Sequence, residues 1–136
     1  MSGPFRHSLR VRYNECDPQG VVFNAHYFSY FDVALTELWR AAFGSYANVV
    51  QDGTDVVVIE AGATFRAPAR FDDEVDVELA IERLGTTSMT MAAAVRRDGQ
   101  LLVEGRMVHV FVDPSTMAKK EIPADVRAGL EPYATA

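Results

Sequence analysis

One long segment of the sequence has the period of an amphipathic helix, and this feature constrains the fold more than any other. Between residues 24 and 44, bulky apolar side chains recur every three or four positions and share one arc at about 100° per residue. The arc holds Tyr27, Phe31, Ala34, Leu35, Leu38, Trp39 and Ala42. Asn24 suits an N-cap and Gly44 suits the left-handed position after the last turn, so the pattern predicts a helix over about 25–43.

The remaining sequence has the two-residue period of β-strands. The alternation begins with Leu9, Val11 and Tyr13 and returns in four later segments. These segments span about 56–65, 75–82, 89–95 and 101–112. Asp98-Gly99 predicts a tight hairpin between the last two. A sheet of about five antiparallel strands needs a cover, and the helix is the only predicted element that can provide it, so we predict an α+β fold in which the sheet wraps around the helix.

Composition narrows the class of protein. A chain of 136 residues with 49% apolar and 24% charged residues is typical of one globular domain, which we expect over 1–136. The net charge of −6 disfavours general nucleic-acid binding. No segment is long and apolar enough for membrane insertion and no secretory signal precedes the first strand, so we expect a cytoplasmic protein. Cys16, the single cysteine, fits a reducing compartment.

Residues 12–27, RYNECDPQGVVFNAHY, resemble the signature of hotdog-fold acyl-CoA thioesterases of the 4-hydroxybenzoyl-CoA thioesterase type, which include the Tol-Pal-associated enzymes. The likeness continues in APARFDD at 67–73, in IPA at 122–124 and in the order of the elements, so it covers most of the chain. The resemblance implies the hotdog fold, hydrolysis of an acyl-CoA with an aryl or short to medium-chain acyl group, and no metal or redox cofactor.

Asp17 stands where this family has its catalytic aspartate, so the resemblance implies that Asp17 is the nucleophile or general base. Thioester hydrolysis needs such a group together with fixed donors for the carbonyl oxygen. Asp17 lies in a loop before a helix N-terminus, where unpaired backbone N–H groups point outward. We therefore expect the oxyanion site at backbone N–H groups near Asn24. Without the resemblance, Asp17-Pro18 is more typical of the start of an ordinary turn than of a catalytic site.

The other candidate residues for substrate binding surround Asp17 in the sequence. They are Tyr13, Gly20, Val21, Val22, His26 and Tyr27. Gly20 either lets the thioester approach the backbone or serves a turn with positive φ. Tyr13, at the end of the first strand, either positions Asp17 or lines the acyl pocket, but we expect it to pack in the core. Tyr27 serves equally well as a pocket wall and as core. Several relatives carry histidine at position 24, whereas this chain has Asn24 and places its histidine at position 26. An amide cannot act as a general base, so Asn24 could only orient water or substrate. We favour the alternative that it caps the helix.

Cys16 adjoins Asp17, yet we expect it to pack rather than react. No histidine follows the patterns of cysteine hydrolases, and strand alternation would direct neighbouring side chains to opposite faces. His7, His26 and His109 have no metal-ligand spacing, so no metal site is predicted.

Arginine side chains are candidates for binding the phosphates of CoA. We assign this role to Arg66, Arg70 and Arg83, with Lys119 and Lys120 as further cations. The family has a basic cluster after the third strand, and this chain has fewer cations there. The sequence therefore does not decide whether the acyl group is carried by CoA or by acyl carrier protein. The alternative is that these arginines and lysines only make the surface soluble.

Two other functions remain open from the sequence. One is a hotdog hydratase acting on enoyl or hydroxyacyl thioesters, and the other is a non-catalytic protein that binds acyl thioesters. Relatives of this kind join sheets edge to edge, which removes an exposed strand edge, so the resemblance implies a homodimer and allows a homotetramer.

Overall fold

A computed structural model describes residues 3–135 and shows one antiparallel sheet wrapped around a central helix. The elements are β1 (Phe5–Arg10), α1 (His26–Phe43), β2 (Asp55–Phe65), β3 (Glu74–Leu84), β4 (Ser88–Arg97), β5 (Gln100–Val112) and α2 (Ala124–Leu130). Short 3-10 turns cover Tyr13–Glu15, Tyr46–Asn48 and Glu131–Tyr133. The strand order is β1-β3-β4-β5-β2, and every neighbouring pair is antiparallel. The predicted α+β class and five-stranded sheet are confirmed.

The apolar arc of α1 packs on alternate residues of the sheet. Phe31 and Leu38 are fully buried against the inward side chains of β3, β4 and β5. A Cβ at Gly105 would lie 2.6 Å from the Phe31 ring, so only glycine lets the helix approach β5 this closely. Asp98 and Gly99 both have positive φ, 51° and 81°, as the predicted hairpin turn requires.

The predicted N-cap of α1 is wrong. Ala25 occupies the N-cap position in helical geometry and makes no side-chain capping bond. Asn24 is exposed and contributes only its carbonyl, which accepts the Tyr27 N–H at 3.3 Å. A turn of chain therefore precedes the helix, and it places the Asn24 side chain one residue too early to cap. At the other end, Gly44 terminates the helix with φ of 86°, as predicted.

Tyr13 lies outside β1, contrary to the prediction from the alternation. The strand ends at Arg10, and Tyr13 opens a 3-10 turn whose Arg12 N–H is held by the Glu15 carboxylate at 2.7 Å. The tyrosine side chain is 80% exposed and meets the edge of Phe71. The expectation that Tyr13 packs in the core is also wrong, because the turn rotates its side chain off the face that buries Val11.

Helix α2 adds a cover that the periodicity did not predict. It spans only seven residues and buries Val126 and Leu130 against the core. A segment of this length holds two turns at most, too few for a helical period to emerge. Helix α1 is therefore not the only element that covers the sheet. Within residues 3–135, no helix combines the length and the apolar character needed to cross a membrane.

Strand β2 lies at one edge of the sheet and pairs only with β5 among the strands described. Its free edge is eleven residues long and exposes large apolar side chains. Val58, Ile59 and Phe65 are 49%, 61% and 44% exposed. A long apolar edge of this kind is prone to pair with another chain.

Candidate active site

Residues 15–23 form a narrow hairpin that leads directly into α1. The Phe23 N–H donates to the Glu15 carbonyl at 3.0 Å, and the Asp17 N–H donates to the Val21 carbonyl at 2.9 Å. Gly20 closes the turn with φ of 77°, and no atom lies within 4 Å of the place where its Cβ would be. Gly20 thus has the geometry of a turn residue, and the space beside it is open.

One oxygen of the Asp17 carboxylate accepts a hydrogen bond from the backbone. Its Oδ1 accepts the Gln19 N–H at 2.8 Å, a local bond typical of aspartate in turns. Among residues 3–135, no donor contacts Oδ2. The side chain is half-buried, so the turn orients the carboxylate while one oxygen stays available for attack or for accepting a proton.

Two backbone N–H groups lie unpaired at the start of α1. The N–H groups of His26, Tyr27 and Phe28 turn back to carbonyls three residues earlier, at 2.9 to 3.3 Å. Those of Asn24 and Ala25 meet no acceptor in the described part of the chain. Both lie at the positive end of an 18-residue helix dipole. Adjacent donors in such a field are the arrangement that stabilises an oxyanion.

A second loop, residues 66–73, holds the hairpin in place. The Val22 N–H donates to the Ala69 carbonyl at 2.9 Å, and the Phe71 N–H donates to the Gly20 carbonyl at 3.1 Å. The Ala69 N–H in turn donates to the Tyr27 hydroxyl at 3.0 Å. The loop therefore binds both the hairpin and the first turn of α1, which fixes one relative to the other.

An ion pair between Arg97 and Asp73 braces this loop. Asp73 Oδ2 accepts the Arg97 guanidinium at 2.6 Å and the Arg70 N–H at 2.8 Å. Burial opposes ionisation of Asp73, but these hydrogen bonds and the arginine charges outweigh it and hold the pKa of Asp73 below its ordinary value. The sequence pattern gave no sign of Arg97, since it lies 24 residues away on β4.

The remaining candidates for substrate binding lie partly in the core and partly at the surface. Val22 and Tyr27 are buried, and the Tyr27 hydroxyl accepts the Ala69 N–H. Both side chains therefore pack beneath the site and do not line its open surface. Val21 is half-buried and bridges to Arg70. His26 begins α1 with its ring edge-on to Phe23, 6.2 Å between centroids. Within residues 3–135, no carboxylate forms a hydrogen bond or an ion pair with His26.

Cys16 packs against the core, as expected, and its thiol donates weakly to the Arg12 carbonyl at 3.7 Å. Burial raises the pKa of the Cys16 thiol, and the carboxylates of Glu15, Asp17 and Asp73 raise it further. A protonated thiol is a poor nucleophile, so this environment disfavours Cys16 as a nucleophile.

The three arginines proposed for phosphate binding have different surroundings. Arg66 pairs with Glu104 of β5, and the Arg70 backbone is bound to the hairpin and to Asp73. Arg83 lines a cavity of about 370 Å³ at the β3–β4 turn together with Glu121 and Arg127, and Arg127 donates there to the carbonyls of Leu84 and Gly85. Lys120 is occupied by carbonyls of Asp52 and Gly53. In the described part of the chain, no three His, Cys, Asp or Glu side chains group closely enough to hold a metal ion.

The sheet wrapped around one long helix is the hotdog fold. A crystal structure of a protein from Aquifex aeolicus has the same fold, with a TM-score of 0.87, 28% sequence identity and coverage of 93% of this chain and 99% of that one. A family model described as "Thioesterase superfamily" matches residues 19–110. The protein belongs to this superfamily, which confirms both the fold and the family that the signature predicted.

Two relatives extend the similarity to nearly the whole chain. The "Acyl-CoA thioester hydrolase YbgC" of Escherichia coli is 30% identical over 125 residues, covering 91% of this chain and 93% of the relative. The "4-hydroxybenzoyl-CoA thioesterase" of Pseudomonas sp. is 26% identical over 132 residues, covering 85% and 89%. The second of these relatives carries the name of the thioesterase type whose signature residues 12–27 resemble.

Proposed function

We propose that the protein hydrolyses acyl-CoA thioesters to the free acid and CoA. The observation that carries the proposal is the two N–H groups of Asn24 and Ala25, which have no acceptor within residues 3–135 and follow directly on the hairpin that bears Asp17. Membership of the thioesterase superfamily and the similarity to an acyl-CoA thioester hydrolase support it.

In this reaction the thioester carbonyl oxygen accepts hydrogen bonds from the two N–H groups. As the carbonyl carbon is attacked, negative charge grows on that oxygen, and the fixed donors together with the helix dipole stabilise it. The tetrahedral intermediate then collapses, the C–S bond breaks, and CoA leaves as a thiolate that takes up a proton.

Asp17 supports either of two routes to that intermediate. As a nucleophile, its free oxygen attacks the carbonyl carbon and forms a mixed anhydride, which water then hydrolyses. As a general base, it takes a proton from the attacking water and later returns it to the departing thiolate. Both routes use the same oxygen, Oδ2, which the turn leaves without a donor within residues 3–135.

For the substrate, we propose an aryl or short to medium-chain acyl group carried on CoA. The 4-hydroxybenzoyl-CoA thioesterase of Pseudomonas provides the precedent for an aryl group. Of the proposed phosphate ligands Arg66, Arg70 and Arg83, Arg66 pairs with Glu104, whereas Arg70 and Arg83 form no ion pair within residues 3–135. We propose no metal or redox cofactor, since activated water and the thioester supply all reacting atoms, and we place the enzyme in the cytoplasm.

We also propose that the enzyme is a homodimer formed through the free edge of β2, with a homotetramer as a further possible assembly. The exposed Val58, Ile59 and Phe65 give this edge an apolar surface, and pairing with a second copy would satisfy its free backbone groups. An antiparallel pair of identical strands has the two-fold symmetry that closed dimers require.

Two other functions have less support. Hydration of an enoyl thioester needs an acid and a base that act together, and among the described residues His26 contacts no carboxylate. A protein that only binds acyl thioesters would have no use for a free carboxylate oxygen beside an oxyanion site. Hydrolysis uses both features.

The test is release of CoA thiol from acetyl-, hexanoyl-, benzoyl- and palmitoyl-CoA by wild type and by Asp17→Asn. We expect at least one ester to turn over, and a loss of about a hundredfold or more in the variant. Asp98→Asn is the matched control, because it removes a carboxylate from a turn that accepts asparagine equally well. A folded Asp17→Asn variant with wild-type rates would contradict the proposal.

A further inference from the structure

A hydrogen bond between two side chains connects the hairpin that bears Asp17 to helix α1. Tyr30 lies in the second turn of α1, and its hydroxyl donates to Glu15 Oε1 at 2.8 Å. Glu15 begins the hairpin two positions before Asp17, and its carbonyl accepts the Phe23 N–H. The contact therefore joins the first arm of the hairpin, residues 15–17, directly to the helix.

The two arms of the hairpin are attached to α1 in different ways. The second arm, residues 21–23, continues into the helix through Asn24 and Ala25, whose N–H groups form the proposed oxyanion site. Backbone hydrogen bonds join the first arm to the second. Within residues 3–135, the bond from Tyr30 is the only side-chain hydrogen bond between the hairpin and α1. It therefore fixes the first arm, with Asp17, relative to those N–H groups.

The Tyr30 hydroxyl is held in a fixed place by its surroundings. The side chain is 3% exposed, and its ring meets the ring of Tyr27 edge-on, 5.8 Å between centroids. Glu15 and Tyr30 also line a groove of about 620 Å³ that opens along β1. Because this side of the hairpin borders an open groove, the hydrogen bond and not apolar packing connects it there to the helix.

The donor and the acceptor are both suited to this role. Burial raises the pKa of Tyr30 and the hydrogen bond to Glu15 raises it further, so the hydroxyl keeps its proton and remains a donor. Glu15 Oε1 also accepts the Arg12 N–H at 2.7 Å, whereas Oε2 accepts no hydrogen bond in the described part of the chain. Since a glutamine oxygen can accept both bonds, Glu15→Gln preserves the arrangement, and Glu15→Ala removes it.

We propose that Glu15 and Tyr30 are positioning residues for hydrolysis: their hydrogen bond holds Asp17 where its carboxylate can act on a thioester bound at the oxyanion site. Neither side chain has to contact the substrate for this role. The inference rests on the proposed thioesterase function. It extends that function to two residues outside the reacting groups, and Tyr30 lies beyond the signature of residues 12–27.

The test measures kcat and KM of Tyr30→Phe, which loses one hydroxyl and keeps the buried ring. A misplaced carboxylate slows the chemical step more than it weakens binding, so we expect kcat to fall about tenfold and KM to change by less than about twofold. Glu15→Ala should lose a similar factor, and Glu15→Gln should keep most of the wild-type kcat. A bond that only stabilises the fold would leave kcat per folded molecule unchanged in all three variants.

Tyr46→Phe is the matched control. The Tyr46 hydroxyl donates to an Asp55 carboxylate oxygen at 2.9 Å, but this pair lies beyond the C-terminal end of α1, whereas the hairpin precedes its N-terminal end. The control should keep the wild-type kcat. The inference is overturned if Tyr30→Phe also keeps it, or if Glu15→Gln loses as much as Glu15→Ala. The two Glu15 variants decide if Tyr30→Phe does not fold.

A second measurement needs no turnover and separates this inference from the proposed function. Amide hydrogen exchange at Asp17 and Phe23 reports on the hairpin, because their N–H groups donate across it to the carbonyls of Val21 and Glu15. We expect both amides to exchange about tenfold faster in Tyr30→Phe, with the amides of β3 and β4 unchanged. If no thioester is hydrolysed, the proposed function fails and the exchange still decides: unchanged rates at both amides overturn the positioning role.

Discussion

Arg97 Nη1 and Asp73 Oδ2 lie 2.6 Å apart and join β4 to the loop of residues 66–73. That loop binds the hairpin through the Val22 N–H and the Phe71 N–H. The ion pair therefore fixes the position of Asp17 through two successive contacts, without being in contact with it. Both side chains are about three-quarters buried, so solvent screens the pair only in part.

Breaking this pair should weaken catalysis without abolishing it. We expect Arg97→Met and Asp73→Asn each to lower kcat/KM about tenfold, because a small displacement of the hairpin misplaces the reacting groups. The double variant should lose little more than either single one, since both remove the same interaction, with a coupling energy on the order of 1–3 kcal/mol. Steady-state kinetics and urea unfolding of the four proteins measure both quantities.

Arg106→Met is the control for that cycle. Arg106 forms an exposed pair with Glu82 on the outer face of the sheet at 3.8 Å, and such pairs contribute little. Strictly additive losses in the double variant, or an equal loss in the control, would show that the Arg97–Asp73 pair has no positioning role.

Cys16 should be dispensable for hydrolysis despite its place beside Asp17. Its pKa is raised by burial and by nearby carboxylates, so little thiolate is present near pH 7. We expect Cys16→Ala to keep kcat/KM within a few-fold and the wild-type thiol to react slowly with a disulfide reagent. A folded Cys16→Ala variant that loses activity about a hundredfold would instead identify a cysteine nucleophile.

The sequence predicted the elements better than their ends. The long arc of α1 and the alternation of the strands are repeated patterns, so several residues agree on each element. Asn24 and Tyr13 were misplaced because each depends on one local turn. The chain makes an extra turn before α1 and leaves β1 at Arg10, and a single residue type does not encode such a turn.

The candidate site was predictable only where its parts are neighbours in the sequence. Asp17 and the N–H groups near Asn24 lie within eight positions, and the structure keeps them on one hairpin and helix start. Arg97 and Asp73 come from distant segments, and only the sheet brings them together. His109 follows the alternation of an ordinary buried strand residue, so the sequence does not indicate that its ring nitrogens lack hydrogen-bond partners within residues 3–135.

The pH dependence of stability should report the buried state of His109. Its pKa of about 4 in the folded protein lies below the ordinary value of 6.5, so the unfolded chain binds the proton more tightly. Above about pH 6.5 this difference does not affect the free energy of unfolding. As the pH falls toward 4, it lowers that free energy by on the order of 3 kcal/mol. Asp32, with its raised pKa, acts in the opposite direction over part of this range.

His109→Leu isolates this contribution because Asp32 remains. We expect the variant to be more stable than wild type at pH 7, by about 1–3 kcal/mol, since an unpaired buried polar group is removed. Between pH 6.5 and 4.5 the variant should lose less stability than wild type. Urea unfolding at several pH values measures this, and parallel curves for the two proteins would contradict a neutral, unpaired His109.

The apolar edge of β2 gives the last prediction, which concerns assembly. Ile59 is 61% exposed on this edge, and a lysine there would place a charge in the proposed two-fold interface. We expect wild type to have the mass of a dimer by light scattering and Ile59→Lys to shift toward the mass of the monomer. Val33→Lys is the control, because Val33 is similarly exposed but lines a groove with β1 residues instead. A monomeric wild type with full activity would exclude the β2 dimer. If Ile59→Lys keeps the mass of a dimer, the dimer forms through a surface other than the β2 edge.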